Sequence, residues 1–241
     1  MRFPDAEVTT LDLIRHGEPV GGRMLRGTTD HPLSERGWQQ MQEATAALMT
    51  NGTPPWDAIV TSPLSRCREF ALWLGEHHDL PVTVVPGLAE MALGEWEGKT
   101  HAEARALEAG VDRQAALWSD PSRQAPPGGE APASFDARVG NAWRALLAAP
   151  PGRHLLVGCH LFVTNALLRQ VLEQLADVHE RKAAHAFNDD GNHAAGVRDA
   201  LATAEELRRS ARLVDQAYDR LAEAFVAAGL IAWHPEPAIE E

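Results

Sequence analysis

Apolar residues along this chain follow two rhythms. Short dense runs fall at Thr9 to Ile14, Ala58 to Thr61, Val82 to Val85 and His154 to Gly158. Each is too short for a stable helix, is mainly apolar or β-branched, and ends in polar or turn-forming residues, so each predicts a strand. Between them apolar residues recur three and four apart. Trp38, Met41, Ala44, Thr45 and Leu48 follow Ser34, a good N-cap, until Asn51-Gly52-Thr53-Pro54-Pro55 breaks the pattern. Cys67, Phe70, Ala71 and Leu74 mark a second helix reaching about His78, and Phe135, Val139, Ala142, Trp143 and Leu146 a third over Ser134 to Ala148. A further helix is predicted over Phe162 to Leu175, and one or two short ones over residues 100–118. Gly87 to Gly98 reads as a loop, and Ser119 to Pro132, rich in proline and glycine, as a surface excursion. Strands alternating with helices predict an α/β fold with a parallel or mostly parallel sheet covered on both faces.

The pattern changes after residue 182. Ala183 to Asn192 reads as loop, and Ala194 to Ala228 as one long charged helix. Its stripe is Val197, Leu201, Ala204, Ala211, Val214, Tyr218, Leu221 and Phe225, with Gly229 as a C-cap. The chain therefore divides into a 1–182 α/β domain and a 183–241 segment. That segment either folds back over the domain or forms a homodimer interface. No internal repeat is present.

Composition narrows the partners. A net charge of -12 excludes nucleic acid and anionic membrane surfaces as expected partners, since both would repel the chain. A small anion needs only a local basic pocket. Cys67 and Cys159 make neither a disulfide framework nor a metal-ligand set and read as buried thiols. His77-His78 and the group His185, Asp189, Asp190 and His193 have no defensible metal-site spacing. Met1 to Thr10 carries Asp5 and Glu7 and no apolar leader, and no run approaches ~18 apolar residues. A cytoplasmic location is expected.

Candidate chemistry lies where the strands end. The first delivers Arg15-His16-Gly17-Glu18, the second leads to Ser62-Pro63-Leu64-Ser65-Arg66, and the fourth to His160. In open α/β sheets ligands bind at that edge. Arginine presents a planar fork of donors to phosphate oxygens, a neutral imidazole can act as nucleophile, and Gly17 lets the backbone approach a ligand closely. Glu90, Glu95 and Glu97 lie around Trp96; the last two read as solvated charges and Trp96 as packing.

Six blocks in order resemble the histidine phosphatase superfamily, which includes phosphoglycerate mutases and many phosphatases. They are Arg15 to Glu18, Gly27 to Gly37, Ser62 to Cys67, Glu90 to Gly98, Pro126 to Glu130, and Leu156 to His160. The fourth is similar to the form seen in α-ribazole phosphatase-like members. The resemblance, spanning roughly residues 9–180, implies one α/β sandwich domain. It also implies a metal-independent, cofactor-free phosphomonoester hydrolase acting on a small-molecule phosphate ester. In that scheme His16 becomes a phosphohistidine, Arg15, Arg66 and His160 stabilise the phosphoryl group, and Glu90 is the general acid. Gly17, Glu18 and Arg26 belong to the pocket or its rim. Two other functions stay open: a phosphate-binding protein without turnover, and a mutase-like phosphotransferase. Leu161 and Phe162 depart from the pattern, standing where the family usually has small residues, and either shape the leaving-group pocket or obstruct the phosphate. Asn165 stands where related phosphatases often carry arginine, and Gly22 where mutase-like members carry asparagine.

Overall fold

The computed structural model describes residues 9–107 and 125–229. Among these, β1 (Thr10–Arg15), β2 (Ala58–Thr61), β3 (Val82–Val84) and β4 (His154–Cys159) form one sheet in the order β1-β4-β2-β3. All neighbours run parallel, and Gly158 of β4 lies opposite Ile14 on one side and Thr61 on the other. The strand forecasts hold to within a residue at each end. The helices are α1 (Glu35–Ala46), α2 (Ser65–His78), α3 (His101–Ala106), α4 (Pro132–Ala148), α5 (Leu161–Lys182) and α6 (His193–Gly229). Residues 108–118 of the 100–118 prediction, and residues 119–124 of the Ser119 to Pro132 excursion, fall outside the described residues.

Alternation along the strands divides the apolar side chains between two cores. Val60, Leu155, Val157 and Cys159 face one side, where Phe135, Val139 and Trp143 of α4 and Val163 and Leu167 of α5 cover them. Ile59 and Leu156 face the other, beneath Met41 of α1 and Phe70, Ala71 and Leu74 of α2. The result is the expected three-layer sandwich, with the carboxyl ends of β1, β2 and β4 side by side. The α1 stripe is narrower than predicted: Met41 and Thr45 are buried, but Ala44 and Leu48 are exposed because the helix ends at Ala46. Gly87 to Gly98 contains two short 3-10 turns, Pro86–Leu88 and Gly94–Trp96.

α5 runs about two turns past its predicted end because α6 returns along it. His193 reaches the Ala184 carbonyl near the turn, and farther along Arg208 binds Asp177 at 3.0 Å and Glu180 at 2.5 Å, so the two helices are antiparallel. On α6 Gly196, Ala204 and Ala211 are buried, and a Cβ at Gly196 would collide with the backbone of Phe187 in the turn between the helices. Leu201, predicted to belong to the stripe, is instead 46% exposed. The side chains of Tyr218, Leu221 and Phe225 lie outside the described residues, and Gly229 is the last residue of the helix. Among the described residues no helix is long and apolar enough to cross a membrane.

The loop after β1 is fastened to α1 by backbone contact. A Cβ at Gly17 would collide with the Gly37 carbonyl, and one at Gly37 with the Glu18 carbonyl. Ser34 N–H donates to Glu18 O at 2.9 Å, and Glu18 N–H to Gln40 Oε1 at 2.9 Å. Helix propensity alone would make Gly37→Ala stabilising by ~1 kcal/mol. The collision is expected to reverse that sign, costing about 1–3 kcal/mol. Urea unfolding of the two proteins measures it, and a stabilised variant would show that the backbones can separate freely.

Candidate active site

β1 places His16 just past its last residue, where His16 N–H still donates to Cys159 O at 3.3 Å. His16 Nδ1 lies 2.8 Å from the Gly17 carbonyl. A carbonyl only accepts, so this bond puts the proton on Nδ1 and leaves the lone pair on Nε2. Burial pushes the His16 pKa down to about 3; the Gly17 carbonyl opposes that shift, and the positive charges of Arg66, Arg15 and Arg26 reinforce it. The ring is therefore neutral at any ordinary pH.

Arg66 enters from the first turn of α2 and is 1% exposed. Its Nη1 donates to Thr29 O at 2.9 Å and its Nη2 to Gly27 O at 2.8 Å, while buried Nε has no partner. The start of α2 is fixed by the same loop: Asp30 accepts from Ser65 N at 2.6 Å and from Ser65 Oγ at 2.9 Å. Arg15, at the end of β1, is exposed.

His160, the residue between β4 and α5, has its ring centroid 5.2 Å from that of His16 and is wholly buried. Its Nε2 is 2.6 Å from Ser62 Oγ, at the end of β2, and 3.6 Å from Cys67 Sγ. Burial lowers its pKa, helped by Arg66, and keeps the ring neutral. Cys67 and Cys159 are free and buried, as read from the sequence, and burial raises both thiols.

Glu90 is 7% exposed. Its Oε1 accepts from Met91 N at 3.1 Å and its Oε2 from Phe162 N, in the first turn of α5, at 3.3 Å. Burial pushes its pKa up to about 7 against those bonds and against the charges of Arg66 and Arg15. The same two arginines thus act on both His16 and Glu90, which places the four groups around one centre. Arg138 anchors the Glu90 segment, donating to Gly87 O at 3.0 Å and Ala89 O at 2.9 Å, and is itself paired with Glu130 at 2.7 Å.

Other expected pocket residues serve the loops. Glu18 is exposed and lies 3.8 Å from Arg36. Arg26 donates to Val20 O at 2.8 Å and Gly22 O at 2.6 Å, closing the loop on itself while adding charge near His16. Leu161, Phe162 and Asn165 are half-buried, and the Phe162 ring meets Phe135 edge-on at 6.3 Å, so it leans into the core. Glu95 is exposed and Trp96 fully buried, as expected. Glu97 overturns its reading as a solvated charge: it accepts from Thr28 N and Oγ1, Thr29 N and Oγ1, and Leu93 N. Ser62, Glu97, Arg138 and Glu130 carry structural duties around the site that local sequence pattern did not disclose. Among the described residues no group of three His, Cys, Asp or Glu side chains is arranged to hold a metal ion.

Fold and site together define an α/β protein that holds buried cationic charge against a neutral histidine at the carboxyl ends of parallel strands. The chain belongs to the histidine phosphatase superfamily (branch 1), whose family model matches residues 11–189. It is 33% identical over 170 residues to a bifunctional protein of Mycobacterium tuberculosis, an alignment covering 68% of this chain and 44% of that protein. It is 36% identical over 144 residues to the glucosyl-3-phosphoglycerate phosphatase of the same organism, covering 58% of this chain and 61% of the relative. The chain thus spans about half the length of these curated relatives. Among solved structures it superposes on the α-ribazole phosphatase of Shigella flexneri with a TM-score of 0.57 and 27% identity, covering 67% of this chain and 79% of that one.

Burial of Glu90 makes a stability prediction. Its folded pKa of about 7 exceeds the ordinary 4.5, so its contribution is fully present below about 4.5 and is lost as pH rises through about 7. Relative to wild type, Glu90→Gln should gain on the order of 3 kcal/mol between pH 4 and pH 8. Urea titrations of both proteins at the two pH values test this. A difference independent of pH would mean that the carboxyl is not buried in this way.

Proposed function

We propose that this protein is a metal-independent phosphomonoester hydrolase that acts through a phosphohistidine intermediate on a small phosphorylated metabolite. The observation that carries this reading is the state of His16: neutral, its proton held on Nδ1 by Gly17, and its Nε2 lone pair free among arginine charges. In the first step Nε2 forms a bond to phosphorus as the ester P–O bond breaks. Glu90 passes its proton to the leaving oxygen. The imidazole acquires positive charge when phosphorylated, and the Gly17 carbonyl on Nδ1–H stabilises it. In the second step water attacks phosphorus, gives its proton to the Glu90 carboxylate, and the P–N bond breaks to regenerate neutral His16.

Charge in this reaction spreads over the equatorial phosphoryl oxygens. Arg66, with its unpartnered Nε, and Arg15 supply the compensating charge. His160 lies beside His16, the ring centroids 5.2 Å apart, with its Nε2 against Ser62 Oγ. A phosphate-binding protein without turnover is the second reading. A pKa near 7 on Glu90 favours the enzyme, because simple binding of an anion gains nothing from a carboxyl poised to give and take a proton. Two of the named relatives are a glucosyl-3-phosphoglycerate phosphatase and an α-ribazole phosphatase, which supports a small phosphate ester as substrate. A cytoplasmic setting accords with that substrate class.

His16→Ala should abolish hydrolysis of aryl phosphates without lowering the melting temperature. Rapid alkaline quench and mass spectrometry of the wild type, under conditions that preserve the P–N bond, should find one phosphoryl group on His16, and near-normal turnover by the variant would remove His16 as nucleophile.

Glu90→Gln should slow hydrolysis of an alkyl phosphate by on the order of 10²–10⁴-fold and of nitrophenyl phosphate much less, since nitrophenolate leaves without a proton. Wild-type kcat/KM for the alkyl ester should fall above about pH 7 as Glu90 loses its proton. Equal losses on both esters would assign the proton to another group.

A further inference from the structure

We propose that Glu97 is a positioning residue for phosphate binding, acting through the Gly27–Thr29 loop on the guanidinium of Arg66. This rests on the reading of the site as a phosphate cradle. The two carboxylate oxygens of Glu97 collect five donors from two separate stretches of chain. Oε1 accepts from Thr28 N, Thr28 Oγ1 and Leu93 N, each at 2.9 Å. Oε2 accepts from Thr29 N at 2.7 Å and from Thr29 Oγ1. The carbonyls of that same short loop are what hold Arg66: Thr29 O takes Nη1 and Gly27 O takes Nη2. Glu97 pins the N–H side of the loop while Arg66 leans on its carbonyl side.

The fit is close enough to dictate the neighbouring residue. Gly27 has φ +50, and a Cβ there would strike Glu97 Oε1 and, at 2.7 Å, Met91 O. Leu93 N–H ties the same carboxylate to the stretch that begins at Glu90, so one side chain sets the spacing between the arginine loop and the acid loop. A carboxylate suits the place better than an amide: three of the five partners are backbone N–H groups that can only donate, and an amide would turn its NH2 group toward at least one of them. The hydrogen bonds from both threonines hold the Glu97 pKa below the usual carboxylate range despite its partial burial.

The test is phosphate binding, with inorganic phosphate as probe and calorimetry as readout, on wild type, Glu97→Gln, Arg66→Lys and the double variant. Glu97→Gln should weaken phosphate roughly tenfold in wild-type background, with KM for nitrophenyl phosphate rising in parallel, and should have little further effect when Arg66 is already Lys. That lack of additivity is the signature of action through Arg66. A role in stability alone would lower the melting temperature, leave phosphate affinity of the folded protein unchanged, and overturn the proposal. Equal losses in both backgrounds would overturn it as well. Thr29→Val, which deletes one of the five donors, should weaken phosphate a fewfold; if Glu97→Gln does not fold, unchanged affinity in Thr29→Val overturns the proposal instead. A wild type that binds no phosphate would defeat the reading of the site itself, an outcome separate from either result for Glu97.

Discussion

The arrangement depends on a buried cation that, among the described residues, has no carboxylate in ion-pair contact. Arg66 is almost fully covered, and its two terminal nitrogens rest on backbone carbonyls instead of on an acid. A desolvated charge costs several kcal/mol unless it is paired and hydrogen-bonded. Carbonyl dipoles offset part of that cost but not the net charge. The fold therefore keeps an unfilled electrostatic demand beside His16, and an anion with several oxygens is the species that meets it. Had a carboxylate stood where Thr29 O stands, the guanidinium charge would be offset within the chain.

One physical cause then gives the two titrating groups opposite duties. Burial disfavours whichever form is charged. For His16 that means loss of the proton and a lone pair at Nε2; for Glu90 it means retention of the proton near pH 7. Nearby arginines reinforce the first shift and restrain the second, so Glu90 stops near neutrality, where it can both give and take a proton. Fully unrestrained burial would raise the pKa further and leave a carboxyl that gives up its proton only reluctantly.

Strands and site signature were legible because both are local. Each strand is a short apolar run; Arg15, His16 and His160 stand at or just past a strand end, and Arg66 follows β2 across the short turn from Ser62 to Ser65. Glu97 was not legible: its neighbours in sequence are Trp96 and Gly98, whereas its partners Thr28 and Thr29 lie 69 and 68 residues away. A charged residue beside a buried tryptophan looks solvated until the loop that closes over it is known. The α6 seam was legible in part: Ala204 and Ala211 of the expected stripe are buried, but Leu201, the larger residue between Val197 and Ala204, is left in solvent. Length of α5 was likewise set by its tertiary partner, through Arg208 and the acids it meets, and not by its own apolar spacing.

Strand order explains why the site exists only in the completed fold. β1 and β2 come early in the chain but do not touch; β4, which begins 144 residues after Thr10, slides between them, Gly158 meeting both Ile14 and Thr61. That insertion carries His160 into the gap between His16 of the first strand's end and Ser62 of the second's, and Glu90 is then fixed by the first turn of the helix that follows. Arg66 and its loop can form beside β2 without β4, but a cradle with only that wall has neither its second histidine nor its acid. Such late, non-local pairing is slow to nucleate. Its consequence here is that the neutral ring of His16, the buried ring of His160 and the protonated carboxyl of Glu90 come together only when β4 closes the sheet.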